Sequence, residues 1–598
     1  MATSTSVPAW DTVALAKQLQ TIASQSQTLM QSFLSQQQNW GQIGMGDASA
    51  IGGPFVDLMS KMAADPASVA RAQVDLFNDS IGLWQKTAER MLLGRGSEPS
   101  PGKNDKRFKH ADWTENAMFS FIKESYLVAA KSILSSVRGV RDLDPDTAKK
   151  ADFYTRQFVD AISPSNFVAT NPEVISRTLE TGGQNLLRGL ENLLADLQRG
   201  NGRLAISMTD KSAFELGRNV ATTPGKVVFQ NALMQLIQYD PTTSKVRKRP
   251  LLIVPPWINK FYVLDLQPKN SFIKWAVGQG HTVFVISWVN PDETLAQKSF
   301  EDYMREGPLA ALDAIKDATA ERTVNAVGYC LGGTLLAATL AYKAAHGDDR
   351  IASATYFVTL VDFSDAGDMA VFIDEEQLAS LEKRMDERGY HEAHDMAASF
   401  NMLRANDLIW SFVVSNYLLG KEPIPFDLLF WNSDSTRMPA AMHSFYLRNM
   451  YQRNLLAKPG GISLAGTPID LTKVKTPTFL LSTREDHIAP WKSTYAGTHL
   501  YSGPVKFVLS ASGHMAGVIS APGGKYGHWT NDALPATAEE WFAGAQPCDG
   551  SWWPEWDEWV TEFELGRVSA RTPGAGMLPI IEDAPGSYVR VRSDNEVF

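Results

Sequence analysis

The chain has 598 residues, 44 % of them hydrophobic and 20 % charged, with a formal net charge of −10. That length allows up to about four domains and more naturally two or three, and the balance of residue types excludes whole-chain disorder. The acidic charge argues against a main role in gripping nucleic acid, and the two cysteines, Cys330 and Cys548, exclude a disulfide scaffold.

The opening residues MATSTSVPAWD carry neither a basic stretch nor an apolar core, so no secretory signal is expected and a reducing, cytoplasmic setting fits. Leu15, Leu19, Ile22, Leu29 and Phe33 recur at helical spacing, and a second helical run covers about 55–93. GRGSEPSPGKN at 94–104 is rich in breakers and reads as a linker. Residues 105–200 again read helical, interrupted at SPSNFVATNPEV. From about 245 the texture changes to short apolar, β-branched runs at 250–257, 282–289, 323–329, 354–363, 476–483 and 505–512. Apolar strands alternating with helical segments predict a mostly parallel sheet covered on both faces. Between 364 and 470 the alternation fails, and an aromatic- and Met-rich, mainly helical insertion of that size predicts a cap. The nearly uncharged stretch 325–342 is centred on Tyr-Cys-Leu-Gly-Gly and reads as buried strand, turn and helix rather than a transmembrane segment.

Gly328-Tyr329-Cys330-Leu331-Gly332-Gly333 follows a predicted strand and opens a helix. This is the nucleophile-elbow pattern of the α/β-hydrolase fold, with Cys in place of Ser. Glycines relieve crowding in such a turn, which projects the side chain and aims a helix N-terminus at it, favouring thiolate. The plainer reading is a structural Cys in a Gly-rich turn. A Cys nucleophile needs a base, and the base an orienting group, in the chain order nucleophile, acid, His. Asp486 follows the strand at 476–483, and His514 follows the strand at 505–512. Glu485 and His487 are the alternatives; His487 adjoins Asp486 too directly for the same relay and reads as a pocket residue. An oxyanion hole would use the backbone N–H of Leu331 and a second donor from the loop Pro255 to Lys260, where the prolines have none, leaving Trp257 or Ile258.

Weaker signals carry less. Gly200-Asn201-Gly202-Arg203-Leu204-Ala205 follows a helical run rather than a strand, so it does not read as a dinucleotide site. His391 and His394 lack metalloprotease spacing, and no metal is expected. The tryptophans at 552, 553, 556 and 559 read first as core or subunit packing, with contact to an apolar surface the alternative. A Cys in the elbow also points to a reaction type. A Cys thioester lies close in free energy to a coenzyme A thioester, so acyl groups exchange on and off. Such a group also remains open to attack by an alcohol. The logic is acyl transfer from a thioester to a hydroxyl under a water-excluding cap.

The combined motifs resemble the polyhydroxyalkanoate synthases. They are Gly328 to Thr334, Ile258-Asn259-Lys260-Phe261-Tyr262-Val263-Leu264-Asp265, Asn406-Asp407-Leu408-Ile409-Trp410, Phe426 to Asn432, Arg484-Glu485-Asp486-His487 and Gly513-His514. Upstream, Asp105-Lys106-Arg107-Phe108 with Trp113, and Ser163-Pro164-Ser165-Asn166-Phe167 through Glu173, look like that family's N-terminal domain. The resemblance covers roughly 105–590. It implies an α/β-hydrolase fold with a mainly helical cap behind a helical N-terminal domain. The boundaries would be a polar extension at 1–104, a helical domain at 105–205, and a catalytic domain at 206–598 with its cap at 364–470. It implies polymerisation of (R)-3-hydroxyacyl-CoA with release of CoA and no other cofactor. Cys330 would carry the chain, His514 would activate it, Asp486 would assist at the substrate hydroxyl, and His487, Asn259 and Trp431 would contact substrate. Length and the built-in N-terminal domain are similar to class I enzymes, which favour short monomers such as 3-hydroxybutyryl-CoA. The resemblance further implies a homodimer at the surface of cytoplasmic polyester granules, beside phasin-type proteins. The competing readings are a capped esterase or thioesterase, with water as acceptor, and a granule-coating protein without activity.

Overall fold

The computed structural model describes residues 48–93 and 105–593. The helical run expected around Leu15 to Phe33 and the linker at 94–104 lie outside these residues. The described residues form two compact units, one of those up to Asp210 with Ala398–Ile424, the other of Lys211–Ala397 with those from Pro425 onward. The middle of the region read as a cap thus belongs with the helical unit, while its two ends belong with the sheet.

In the helical unit the second expected run is broken at Asp65 into α1 (Ala48–Ala64) and α2 (Pro66–Leu93). After a short turn of helix at Asp112–Glu115 come α3 (Ala117–Arg138), α4 (Pro145–Ala161), α5 (Pro172–Glu180) and α6 (Gln184–Arg199). Their starts are written in the sequence. Asn116, Asp144 and Asn171 each accept first-turn amides, and Pro145 and Pro172 occupy first-turn positions where no N–H is missed. Phe108, Trp113, Phe119, Tyr126 and Val159 form its core. Arg107 closes that core's edge with charge-assisted bonds to Asp105 and Asp160 and one to the Tyr126 hydroxyl. The segment 398–424 lies along α6. Asn185 Nδ2 donates to the Leu418 carbonyl at 2.7 Å, and the Tyr417 hydroxyl donates to Asp196 at 2.6 Å. Gly189 permits this approach, because a side chain there would occupy the place of the Tyr417 carbonyl.

The second unit is built on an eleven-stranded sheet. In chain order its strands are β1 (Gly225–Gln230), β2 (Met234–Tyr239), β3 (Leu251–Val254), β4 (Val283–Trp288), β5 (Val324–Tyr329) and β6 (Ile351–Phe357). They continue as β7 (Thr478–Thr483), β8 (Val505–Ser510), β9 (His528–Thr530), β10 (Gln546–Cys548) and β11 (Glu582–Asp583). The spatial order is β10-β9-β8-β7-β6-β5-β3-β4-β2-β1-β11. The six strands expected from the apolar runs are the parallel centre, β8-β7-β6-β5-β3-β4, and antiparallel strands extend both edges. The hairpin of β1 and β2 lies upstream of the expected start of the sheet. Its strand MQLIQY is buried throughout, with Gln235 and Gln238 satisfied by hydrogen bonds, so its polar letters hide a core strand.

Trp552, Trp553, Trp556 and Trp559 all belong to the core of this unit rather than to an exposed face. Three of their indole N–H groups are bonded inside: Trp552 to the Gly517 carbonyl, Trp553 to the Val518 carbonyl and Trp556 to the Thr355 hydroxyl. Trp556 is completely buried, against Phe272. Trp556→Ala is expected to lower stability by about 3–5 kcal/mol, read as a shift in the urea midpoint. A loss near zero would show that the cluster does not support this core.

Candidate active site

β5 ends at Tyr329 and the helix α7 (Leu331–Ala345) begins one residue later, so Cys330 alone makes the turn. Its backbone has φ 51° and ψ −119°, a conformation that L side chains rarely adopt and that costs on the order of 1–3 kcal/mol. The surroundings hold it there. The Cys330 N–H donates to the Phe357 carbonyl at 2.9 Å, and the Thr359 hydroxyl donates to the Cys330 carbonyl at 3.3 Å. The glycines supply room: a side chain on Gly328 would meet Gly333, and one on Gly332 would meet the carbonyls of Val254 and Pro255. The end of β3, and with it the start of the expected oxyanion loop, is therefore packed directly against the elbow.

Asp486 and His514 leave β7 and β8 at the same edge of the sheet, because these strands run parallel in register, Thr483 opposite Ser510. His514 Nδ1 and Asp486 Oδ2 are 2.7 Å apart. The other Asp486 oxygen accepts the amides of Ile488 at 2.8 Å and Ala489 at 2.9 Å, and Thr483 donates to Oδ2 at 3.2 Å. A buried carboxylate with every side engaged is fixed in place and kept as an acceptor. Burial disfavours charge on the enclosed His514, but Asp486 and Cys330 outweigh it and push the imidazole up to about 10. Its ring also stacks on Tyr329. The structure thus brings Cys330, Asp486 and His514 together.

The remaining candidates are spread differently. A cavity of about 10 Å³ beside Cys330, room for about one water, is lined by Leu331, Thr334, Val358, Leu360, Tyr446, Tyr451, Ile488 and Ala489. None of His487, Asn259 and Trp431 is among these lining residues. His487 lies half-buried just after Asp486, and Glu485 lies exposed just before it. Trp431 is packed in the core and donates its indole N–H to the Lys260 carbonyl at 2.7 Å. Asn259 has φ 58° and gives its backbone N–H to the Thr436 hydroxyl at 2.8 Å. Trp257 is buried among Phe300, Tyr303 and Tyr446. His391 stacks on His443, away from any cluster of metal-binding groups among the described residues.

Tyr446 and Tyr451 were not among the expected site residues. They arrive from the far end of the cap region on a helix that passes into a π-helical turn over Leu447–Gln452. Burial first, then Cys330 and Asp486, raise the Tyr451 hydroxyl, so it stays a protonated donor at neutral pH. The aromatic letters of Phe445 to Tyr451 were legible; the register that presents two of them to Cys330 was not.

The raised His514 fixes the sign of one pH effect. A group that titrates near 6.5 unfolded and near 10 folded adds stability that is complete below 6.5 and fades as pH rises through 10. The Tm difference between the parent and Asp486→Asn should therefore shrink over that interval. A difference that is constant or grows with pH would show that this pair is not charged in the native state.

Comparison with known proteins agrees with this architecture. The family described as "Poly-beta-hydroxybutyrate polymerase (PhaC) N-terminus" matches residues 104–276, and "alpha/beta hydrolase fold" matches residues 249–519. The poly(3-hydroxyalkanoate) polymerase of Methylorubrum extorquens is 54 % identical over 88 % of each chain. The polymerase subunit PhaC of Rhizobium meliloti is 52 % identical over 90 % of this chain and 89 % of its own. That of Cupriavidus necator is 41 % identical over 94 % and 95 %. Similarity of this extent, across both the helical region and the sheet, means that the chain belongs to the poly(3-hydroxyalkanoate) polymerases, acyltransferases built on the α/β-hydrolase fold.

Proposed function

We propose that this polymerase acts on (R)-3-hydroxyacyl-CoA through Cys330, with His514 as the base and Asp486 as its orienting group. The observation that carries the reading is the 2.7 Å contact of His514 with a carboxylate whose remaining acceptor positions are filled. In the first half-reaction the Cys330 sulfur adds to the thioester carbonyl, the carbon–sulfur bond to CoA breaks, and CoA leaves as its thiol with the proton held by His514. In the second, a 3-hydroxyl group attacks the Cys-bound acyl carbon, His514 takes the hydroxyl proton, and the Cys330 sulfur is released as an ester bond forms. Because Asp486 is saturated, its help to the hydroxyl passes through His514 rather than by direct contact.

Val358, Leu360 and Ile488 make much of the lining beside the sulfur apolar, and the space there holds little more than one water, which disfavours hydrolysis by limiting the entry of solvent. Contact with the polyester surface fits the helical unit. Val74, Phe77, Ile81 and Trp84 expose an apolar stripe at helical spacing on α2, and Val56 and Met59 do so on α1. Among the described residues no helix is long and apolar enough to cross a membrane.

With (R)-3-hydroxybutyryl-CoA, the parent should release CoA and form insoluble polymer together. Cys330→Ala should lose both by at least about 10³-fold while staying folded by circular dichroism. Polymer formation by Cys330→Ala would remove the sulfur from the mechanism. Phe77→Glu with Ile81→Glu should leave initial CoA release within about twofold and lower the fraction of enzyme that sediments with polymer. Unchanged sedimentation would take the stripe out of granule contact.

A further inference from the structure

The ends of the oxyanion loop are held by indole N–H groups, Trp288 on the Pro255 carbonyl at 2.8 Å and Trp431 on the Lys260 carbonyl at 2.7 Å, and its middle by one hydroxyl. Thr436, buried at the end of the cap region, donates to the Trp257 carbonyl at 2.7 Å and accepts the Asn259 N–H at 2.8 Å. The Trp257 carbonyl and the Ile258 N–H belong to one planar trans peptide and point in opposite directions. Fixing the carbonyl therefore fixes the N–H. The Ile258 N–H donates to no group among the described residues, and the Asn259 N–H is already used by Thr436. The rival donor, the Trp257 N–H, sits on a peptide whose Pro256 carbonyl accepts no hydrogen bond among the described residues, the bond from Trp288 falling on the preceding Pro255 carbonyl. The loop begins against the elbow, where the carbonyls of Val254 and Pro255 fill the space beside Gly332.

The segment that carries Thr436 is itself braced. Asp434 meets Lys260 Nζ at 2.8 Å and accepts from the Tyr262 hydroxyl at 2.9 Å. Lys260 Nζ also donates to the carbonyls of Val589 and Val591 at 2.7 and 2.9 Å, and Trp431 holds the Lys260 carbonyl. Both ends of the ion pair are almost wholly buried, so its geometry is fixed by the cost of leaving either charge unpaired.

We infer that Thr436 is a positioning residue for acyl transfer: its hydroxyl aims the Ile258 N–H, which with the Leu331 N–H forms the oxyanion hole. This rests on the Cys330 mechanism proposed above. Losing one oxyanion donor costs about 10²–10³ in kcat, and loosening a donor that is still present costs less. Thr436→Val, which keeps the shape and removes the hydroxyl, should lower kcat with (R)-3-hydroxybutyryl-CoA by about 10- to 100-fold with KM within about twofold. Thr436→Ser should stay within about threefold of the parent. The discriminating readout is alkylation of Cys330 by iodoacetamide, followed by mass spectrometry of its peptide. Displacement at a saturated carbon forms no oxyanion, so Thr436→Val should alkylate at the parental rate. An unchanged kcat, or alkylation slowed as much as turnover, would overturn the inference. Should Thr436→Val fail to fold, Thr436→Ala against Thr436→Ser gives the same contrast. Turnover by Cys330→Ala would instead sink the thiol mechanism itself, whatever the Thr436 variants do.

Discussion

The site depends on a backbone approach that only glycine permits. The end of β3 lies where a side chain of Gly332 would be, and Gly328 lies against Gly333. This lets the first turn of α7 sit on the carboxyl ends of β3 and β5, neighbours in parallel register with Val254 opposite Gly328. The strained Cys330 is a consequence: the chain must reverse within one residue to bring helix against strand. The cost of that residue is offset by the packing of α7, which is buried along nearly its whole length. Because β3 ends at this contact, the loop that follows it begins beside the sulfur. The elbow thus sets the position of the loop Pro255 to Lys260 as well as that of Cys330.

A second layer of constraint is electrostatic. Asp486, His514, Lys260 and Asp434 are all buried, and each is compensated at short range. Burial of a charge without a partner costs several kcal/mol, so these groups have few alternative positions. Asp486 and His514 sit on one side of the elbow, and Lys260 and Asp434 brace the loop on the other. A reacting carbonyl between them would meet preorganised groups rather than solvent, which is where fixed dipoles contribute most.

The sheet's centre was legible because its strands are continuous apolar runs, and the proposed triad was legible as a grouping because Cys330, Asp486 and His514 each follow one of those runs. The edges were less so. β2 carries two glutamines that are buried by bonding to the chain's last segments, more than 330 residues away, a partnership that local pattern cannot reveal. The tryptophans at 552–559 left core and surface open from sequence, since an indole suits both, and it is their bonded N–H groups that place them inside. Trp431 and Asn259 sit in motifs that suggested substrate contact, yet their bonds run to the oxyanion loop's own frame. The residues beside the sulfur that went unnoticed, Tyr446 and Tyr451, are five apart in a segment where an ordinary helix would place them on different faces. The π-helical turn there adds the extra residue that brings both to Cys330.

That turn bears on how substrate arrives. A cavity of about 10 Å³ holds no acyl group, so any 3-hydroxyacyl chain that reaches Cys330 must displace part of its lining. Leu331 and Thr334 belong to the elbow helix, and Val358 and Leu360 follow a central strand, so these cannot yield without disrupting the sheet. Ile488 and Ala489 are held by Asp486. The two tyrosines are the remaining walls, and they lie on the element whose hydrogen-bond ladder is already irregular. Its outer face is tied to the helix Glu375–Arg388 by Arg448, whose guanidinium bridges Glu375 and Glu382. Glu375 is exposed, so its pair with Arg448 contributes little stability, whereas Arg448 and Glu382 are both mostly buried and form the firmer half of the tie. The two tyrosines are thus the part of the lining held neither by the sheet nor by Asp486, although Tyr446 is itself packed against Trp257, Phe300 and Phe363.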